Sequence, residues 1–190
     1  MPLFPRPYRS GRVGRVAAGL AIAIAVSALG AVRAQTPTAR APVVIAEYLV
    51  RFVKFVDWPA DVVSPDGPLT ICVADREVLD ALSHAVARRP PGNRPITVVH
   101  VPAGAPPPEC ALLYVARMDN RQTAAVIAAL RGRSVLSVSI TEDFARRGGT
   151  IELFVADDGS MKFSVNPQAA ERAHLRVSAL LLNLARIVSE

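Results

Sequence analysis

Apolar residues recur at helical spacing from Ile45: Ile45, Tyr48, Leu49, Phe52, Val53 and Val56 follow an i, i+3, i+4 pattern, with Glu47, Arg51 and Lys54 between them. The spacing predicts an amphipathic helix that Pro59 closes, because the residue before a proline avoids the helical region. Phe55 and Trp58, the latter the only tryptophan in the chain, lie three apart beside the main stripe and extend the apolar face around the helix end. Large aromatics dominate interface hot spots, which makes the pair candidate partner-binding residues. The competing role is half-buried packing at the helix end.

Beyond the turn chemistry of "VVSPDGPL" the period changes. "LTICVAD" (69–75) reads as a buried strand and "REVLDALSHAVARR" (76–89) as a helix packed on it, with Val78, Leu79, Leu82 and Val86 at helical spacing. "ITVVHV" (96–101), "ALLYVA" (111–116) and "SVLSVSI" (134–140) are further strands. Asp119 can cap a helix over 120–130 that Gly132 ends, and "EDFARR" predicts a short helix stopping at Gly148 and Gly149. "TIELFVADDGSMKFSVN" (150–166) is two β-rich runs around a turn, a hairpin. Asn166 and Pro167 then open a long final helix through Ile187, with Leu180, Leu181, Leu184 and Ile187 on one side. Alternating strands and helices imply crossovers and a mostly parallel sheet covered on both faces. The expectation is an α/β fold, a three-layer α/β/α sandwich with a C-terminal β-hairpin plus long helix.

The first forty residues belong to a different regime. Arg6, Arg9, Arg12 and Arg15 form a basic start with no acid, "VAAGLAIAIAVSALGAV" (16–32) an apolar stretch, and Val32 with Ala34 a small-residue cleavage pattern. Residues 1–34 are therefore expected to be a cleaved secretory signal peptide, an uncleaved anchor being the other reading. Residues 35–44 follow as an extended linker, and 45–190 as the folded domain. Removing the five leader arginines from 22 basic residues leaves 17 against 16 acids, so the high isoelectric point belongs to the leader. No long basic run or basic aromatic strip remains, which excludes nucleic acid as the expected partner.

Candidate chemistry is sparse. "VADREV" after the first strand has no glycine, whereas phosphate-binding loops need glycines there for close backbone approach. His84, His100 and His174 are the available imidazoles, and no G-x-S-x-G elbow accompanies them. His100 and Glu109 lack further metal ligands, Asp157-Asp158-Gly159-Ser160 is ordinary turn sequence, and Asp57 with Asp61 straddles Pro59. No catalytic group, metal or cofactor is expected. Arg146 and Arg147 before Gly148-Gly149 are either a grip for a partner's carboxylate or phosphate, or cations at a helix carboxyl end. Cys72 and Cys110 form an even pair in an exported chain, which suggests one disulfide; two buried free thiols are the alternative.

Several blocks stand in a familiar order: "AEYLVRFVKFVDWP", "PLTICVAD", "RRGGTIELFV" and "GSMKFSVNPQAAERAHLRVSALLLNLARIV". Together, over roughly 46–188, the chain resembles the YfiR-like family of small periplasmic bacterial proteins. The resemblance implies a dimeric α/β regulator, not an enzyme. Such a protein binds the periplasmic sensing domain of an inner-membrane diguanylate cyclase and restrains cyclic-di-GMP signalling and biofilm formation. Cys72 and Cys110 match the family's structural disulfide positions, and the resemblance also allows a redox-responsive role for the bridge. This sequence lacks the second cysteine pair that some members carry, and its loop after the first strand lacks the common glycine. A periplasmic small-molecule binding module, using loops at the strand ends, is the alternative reading.

Overall fold

The computed structural model describes residues 37–64, 67–90, 94–102 and 109–190, and the expected leader lies outside them. The first element is α1 (Pro37–Phe52), with Pro42 inside it. Residues 37–44, expected as an extended linker, are thus its first two turns. The helix ends earlier than its apolar period predicts. Lys54 N–H donates to Arg51 O and Phe55 N–H to Phe52 O, both at 3.0 Å, in tight turns. The chain then leaves as β1 (Val56–Asp57), which pairs antiparallel with β8 (Arg176–Val177). Tertiary strand pairing overrides the helical spacing of Val53 and Val56.

The remaining elements are β2 (Leu69–Val73), α2 (Arg76–Ala87), β3 (Ile96–His100), β4 (Leu112–Val115), α3 (Asn120–Ala129), β5 (Leu136–Ser139), β6 (Ile151–Val155), β7 (Met161–Val165), α4 (Pro167–Arg172), α5 (Ala179–Leu184) and β9 (Arg186–Ile187). The main sheet runs β3-β2-β4-β5-β6-β7-β9. All pairs from β3 to β6 are parallel, β6 and β7 form the antiparallel hairpin, and β9 joins β7 in parallel. This is the mixed α/β class with a mostly parallel sheet that the sequence predicts.

Side-chain alternation divides the sheet into two faces. Ile71, Val73, Leu112, Tyr114, Leu136, Val138, Ile151 and Leu153 join the larger core with Leu49 and Phe52 of α1 and Val78 and Leu82 of α2. Tyr48, Phe52 and Phe163 form an aromatic triangle there, and the Tyr48 hydroxyl donates to Met161 O at 2.7 Å. On the other face Cys72, Leu113, Val115 and Val135 pack with Val126 and Leu130 from α3 and its carboxyl end. Asp75 caps α2, Asp119 forms a capping box on α3 with Gln122, and Asn166 caps α4 with Pro167 in its first turn. Gly159, at φ 76°, takes the left-handed position of the β6–β7 turn.

Two helix expectations are corrected. The long final helix is two short ones, α4 and α5, separated by β8. Leu175 N–H donates to Ala170 O and His174 N–H to Glu171 O, both at 2.9 Å, while His174 has φ 55°. That is a Schellman motif with histidine where glycine is usual, so the sequence carried no glycine to announce the stop. The predicted "EDFARR" helix is a single helical turn. It closes the same way, with Gly148 at φ 106° and Gly149 N–H donating to Phe144 O at 3.0 Å. Because β5 and β6 are parallel neighbours, this turn crosses the sheet on the second face, beside α3. β5 accordingly turns serines to it: Ser137 Oγ accepts from Thr150 N–H at 2.9 Å, and Ser139 Oγ accepts from Thr141 N–H at 3.0 Å.

Candidate functional site

The segment after α1 that carries Phe55 and Trp58 is joined to three parts of the fold. Trp58 Nε1–H donates to Ala111 O at 2.9 Å, just before β4, and both aromatic rings pack against the larger core while remaining partly accessible. Ser178 N–H donates to Phe55 O at 2.9 Å and continues the β1–β8 pairing. The indole N–H is therefore satisfied inside the fold, and the ring pins the end of α1 to the sheet.

Cys72 and Cys110 are joined by a disulfide with a Cα separation of 5.9 Å. β2 and β4 are neighbours, which brings Cys110, two residues before β4, beside β2. The cysteines are 0% and 4% exposed among apolar side chains of the second face. The strand order reverses between β2 and β4, where ligands commonly enter α/β sheets at the carboxyl ends. At that edge Tyr114 is buried in the larger core, the Asp75 carboxylate accepts from Val78 N–H at 2.9 Å, and Ala74 N–H donates to Tyr114 O at 3.1 Å. Burial, with the Asp75 carboxylate nearby, pushes the Tyr114 hydroxyl far above its ordinary value, so it stays neutral.

Arg146 and Arg147 are both exposed on the single turn between β5 and β6. Arg146 Nε lies 3.7 Å from Asp143 Oδ1, and Arg147 Nη1 donates to Asn120 Oδ1 at 2.6 Å. Below them Gly149 touches the fully buried Phe144 ring; a Cβ added there would stand 2.2 Å from ring carbon Cε1. On the outer side of the same turn Glu152 Oε2 accepts from Ala145 N–H at 3.4 Å. Burial raises the Glu152 carboxyl above its ordinary value, only partly offset by backbone N–H groups of Ala145 and Asp143.

The turn, α3 and α4 enclose a cleft of about 470 Å³ whose lining includes Arg131, Arg147, Arg172 and Glu190. Sequence reasoning named only Arg147 of these. The other three are distant in sequence and meet because α4 packs beside the carboxyl end of α3.

A second feature also escaped the sequence. Leu180, Leu184 and Ile187 are 59%, 70% and 52% exposed, whereas Leu181 is buried. A continuous helix would have placed all four on one buried face. Once α5 is its own element, Leu180 and Leu184 share its outer face and Ile187 lies on the open-edge strand β9. Ile187 pairs in register with Val165, a core residue of the first face. Arg186 points to the other face, with its guanidinium carbon 4.4 Å over the Phe154 ring.

Among the described residues no three His, Cys, Asp or Glu side chains gather as metal ligands, and no helix is long and apolar enough to cross a membrane. His84 and His174 are exposed and His100 is half-buried on the edge strand β3. Asp158 is held below its ordinary value by hydrogen bonds from Ser160, as a turn carboxylate is. The residues thus describe a mixed α/β protein whose distinctive surfaces suit binding: a cationic cleft and an apolar strip at a sheet edge.

The chain belongs to the YfiR/HmsC-like family, whose model matches residues 43–186. Members of that family are known as periplasmic regulators in cyclic-di-GMP signalling. No curated protein matches the chain. Among solved structures the fold is similar to a conserved domain protein from Vibrio cholerae O1 biovar El Tor, with a TM-score of 0.50 at 13% identity. That likeness covers 76% of this chain and 60% of the Vibrio protein, and it concerns the fold alone.

Proposed function

We propose that the protein is an exported periplasmic regulator that binds the periplasmic sensing domain of an inner-membrane diguanylate cyclase and restrains cyclic-di-GMP signalling. On this reading residues 1–34 are a leader removed on export, and the mature chain acts as a homodimer. Family membership supports the class of function. The observation that favours protein binding is the exposure of Leu180, Leu184 and Ile187 on α5 and β9, the last strand of the sheet among the described residues. Exposed apolar side chains at an outer strand suit a protein partner, by side-chain burial and by strand addition. Phe55, Trp58, Arg146 and Arg147 remain secondary contact candidates, Trp58 with its indole N–H already bonded inside the fold. The depth of Cys72 and Cys110 favours a structural bridge over a redox sensor, which needs an accessible sulfur. A small-molecule module at the carboxyl ends of the strands is disfavoured by the burial of Tyr114 and by the use of the Asp75 carboxylate as the cap of α2.

The test is titration of the purified sensing domain with the protein and with a Leu180→Glu, Leu184→Glu variant. The expected outcome is at least tenfold weaker binding by the variant, with raised cyclic-di-GMP in cells and an unchanged melting temperature. Full repression by the variant refutes the surface. Failure of the unaltered protein to bind any diguanylate cyclase sensing domain from its own cell refutes the function.

A further inference from the structure

The cleft between α3, the 143–149 turn and α4 lies at the amino-terminal edge of the parallel strands, opposite the edge where such sheets usually take ligands. Three helical segments end at its rim, and each ends on an arginine: Arg131 after α3, Arg147 in the turn and Arg172 in α4. A cation at a helix carboxyl end is favourable anywhere, and that accounts for each arginine singly. It does not account for their convergence on one cavity, nor for what occupies it. The Glu190 carboxylate enters the cleft and pairs with Arg172. Its Oε1 would stand 3.2 Å from a Cβ on Gly148, so the carboxylate seats beside a backbone with no side chain to exclude it. Among the lining side chains three guanidinium groups stand against one carboxylate. Behind the rim Ile127, Leu130, Val135 and Ala173 give apolar wall, beside the hydroxyl-bearing Ser137 and Thr150.

We infer that this cleft is a binding site for a small organic anion, a carboxylate carrying an apolar body. Arg172 and Arg147 are the anion grip, and Glu190 is the internal carboxylate that the ligand displaces. Guanidinium forks match carboxylate geometry, and Arg147 gives Asn120 only one of its five donors in the bonds described. The cavity volume of about 470 Å³ falls within the range of small-molecule sites and is small for a folded partner. The inference stands apart from the partner-binding strip, which uses different residues.

The probes are hexanoate, with acetate, hexan-1-ol and inorganic phosphate as controls, followed by thermal shift and saturation-transfer NMR. The site predicts that hexanoate binds where acetate and hexan-1-ol do not. Glu190→Gln, which removes the competing charge, is expected to tighten hexanoate at least fivefold. Arg147→Gln or Arg172→Gln in that background is expected to weaken it at least tenfold; all these positions are exposed, so the fold tolerates the changes. Absence of hexanoate binding to Glu190→Gln overturns the inference, as does binding that ignores the arginine substitutions. Phosphate bound as tightly as hexanoate overturns the apolar-body requirement. Loss of sensing-domain binding in the arginine variants, with no hexanoate bound by any form, reassigns the cleft to a macromolecular partner.

Discussion

Replacing both Cys72 and Cys110 by alanine isolates what the bridge does. The two residues are 38 apart, and closing such a loop in the unfolded chain is worth about 4 kcal/mol in the chain-entropy model. Both sulfurs also fill space beside Leu113, Val115 and Val135, so their removal leaves a small void and the entropic figure is a floor. For a domain of this size, about 4 kcal/mol corresponds to a fall of roughly 8–15 °C in melting temperature. Equilibrium unfolding of the oxidised protein and the double variant under non-oxidising buffer measures the difference directly. Burial adds a kinetic corollary. Millimolar dithiothreitol is expected to leave the bridge intact in the folded protein and to reduce it at a rate that follows global unfolding. A stability loss below about 1 kcal/mol, or reduction as fast in native buffer as in denaturant, refutes a structural bridge and restores the redox sensor.

Gly149→Ala forces a methyl to within 2.2 Å of the buried Phe144 ring, and the expected loss is at least about 3 kcal/mol by chemical denaturation; a loss under 1 kcal/mol contradicts the packing described. His174→Gly relieves the positive φ at the end of α4, against the greater freedom glycine gives the unfolded chain; a net gain of about 0.5–1 kcal/mol is expected, and a destabilised variant argues against the left-handed cap. The raised Glu152 carboxyl means that the folded protein holds this proton more tightly than the unfolded chain, so ionised Glu152 opposes folding. Its contribution therefore falls as pH rises through and above the ordinary carboxylate value of 4.5, and Glu152→Gln should gain stability over the unaltered protein between acid and neutral pH. Melting curves of the two proteins that stay parallel across that range refute the assignment.

The alternation of strands and helices was legible because the strands from β2 to β5 are short runs rich in Val, Leu and Ile. The hairpin was legible because Asp158 and Gly159 are strong turn formers at its tip. What the sequence concealed were the places where tertiary contacts overrule local pattern. Val56 fits a helical stripe, yet it pairs with Val177 because β8 supplies a partner about 120 residues away. The α4 stop was hidden because a histidine occupies the left-handed position that glycine normally marks. Residues 37–44 contain two prolines and still enter α1. The cleft could not be read at all, since Arg131, Arg147, Arg172 and Glu190 share no period or motif.

These departures are connected. The Schellman stop at His174 frees residues 175–178 from helix, and that freed segment pairs with β1 and holds the end of α1 near Trp58. The same stop lets the chain restart as α5, which rotates Leu180 and Leu184 outward while Leu181 stays buried. It also returns the chain alongside β7, so that Glu190 reaches Arg172. A continuous helix through Ile187 would have removed all three features: the anchored tryptophan, the apolar strip and the carboxylate in the cleft. The left-handed backbone of His174 is therefore the common origin of all three features.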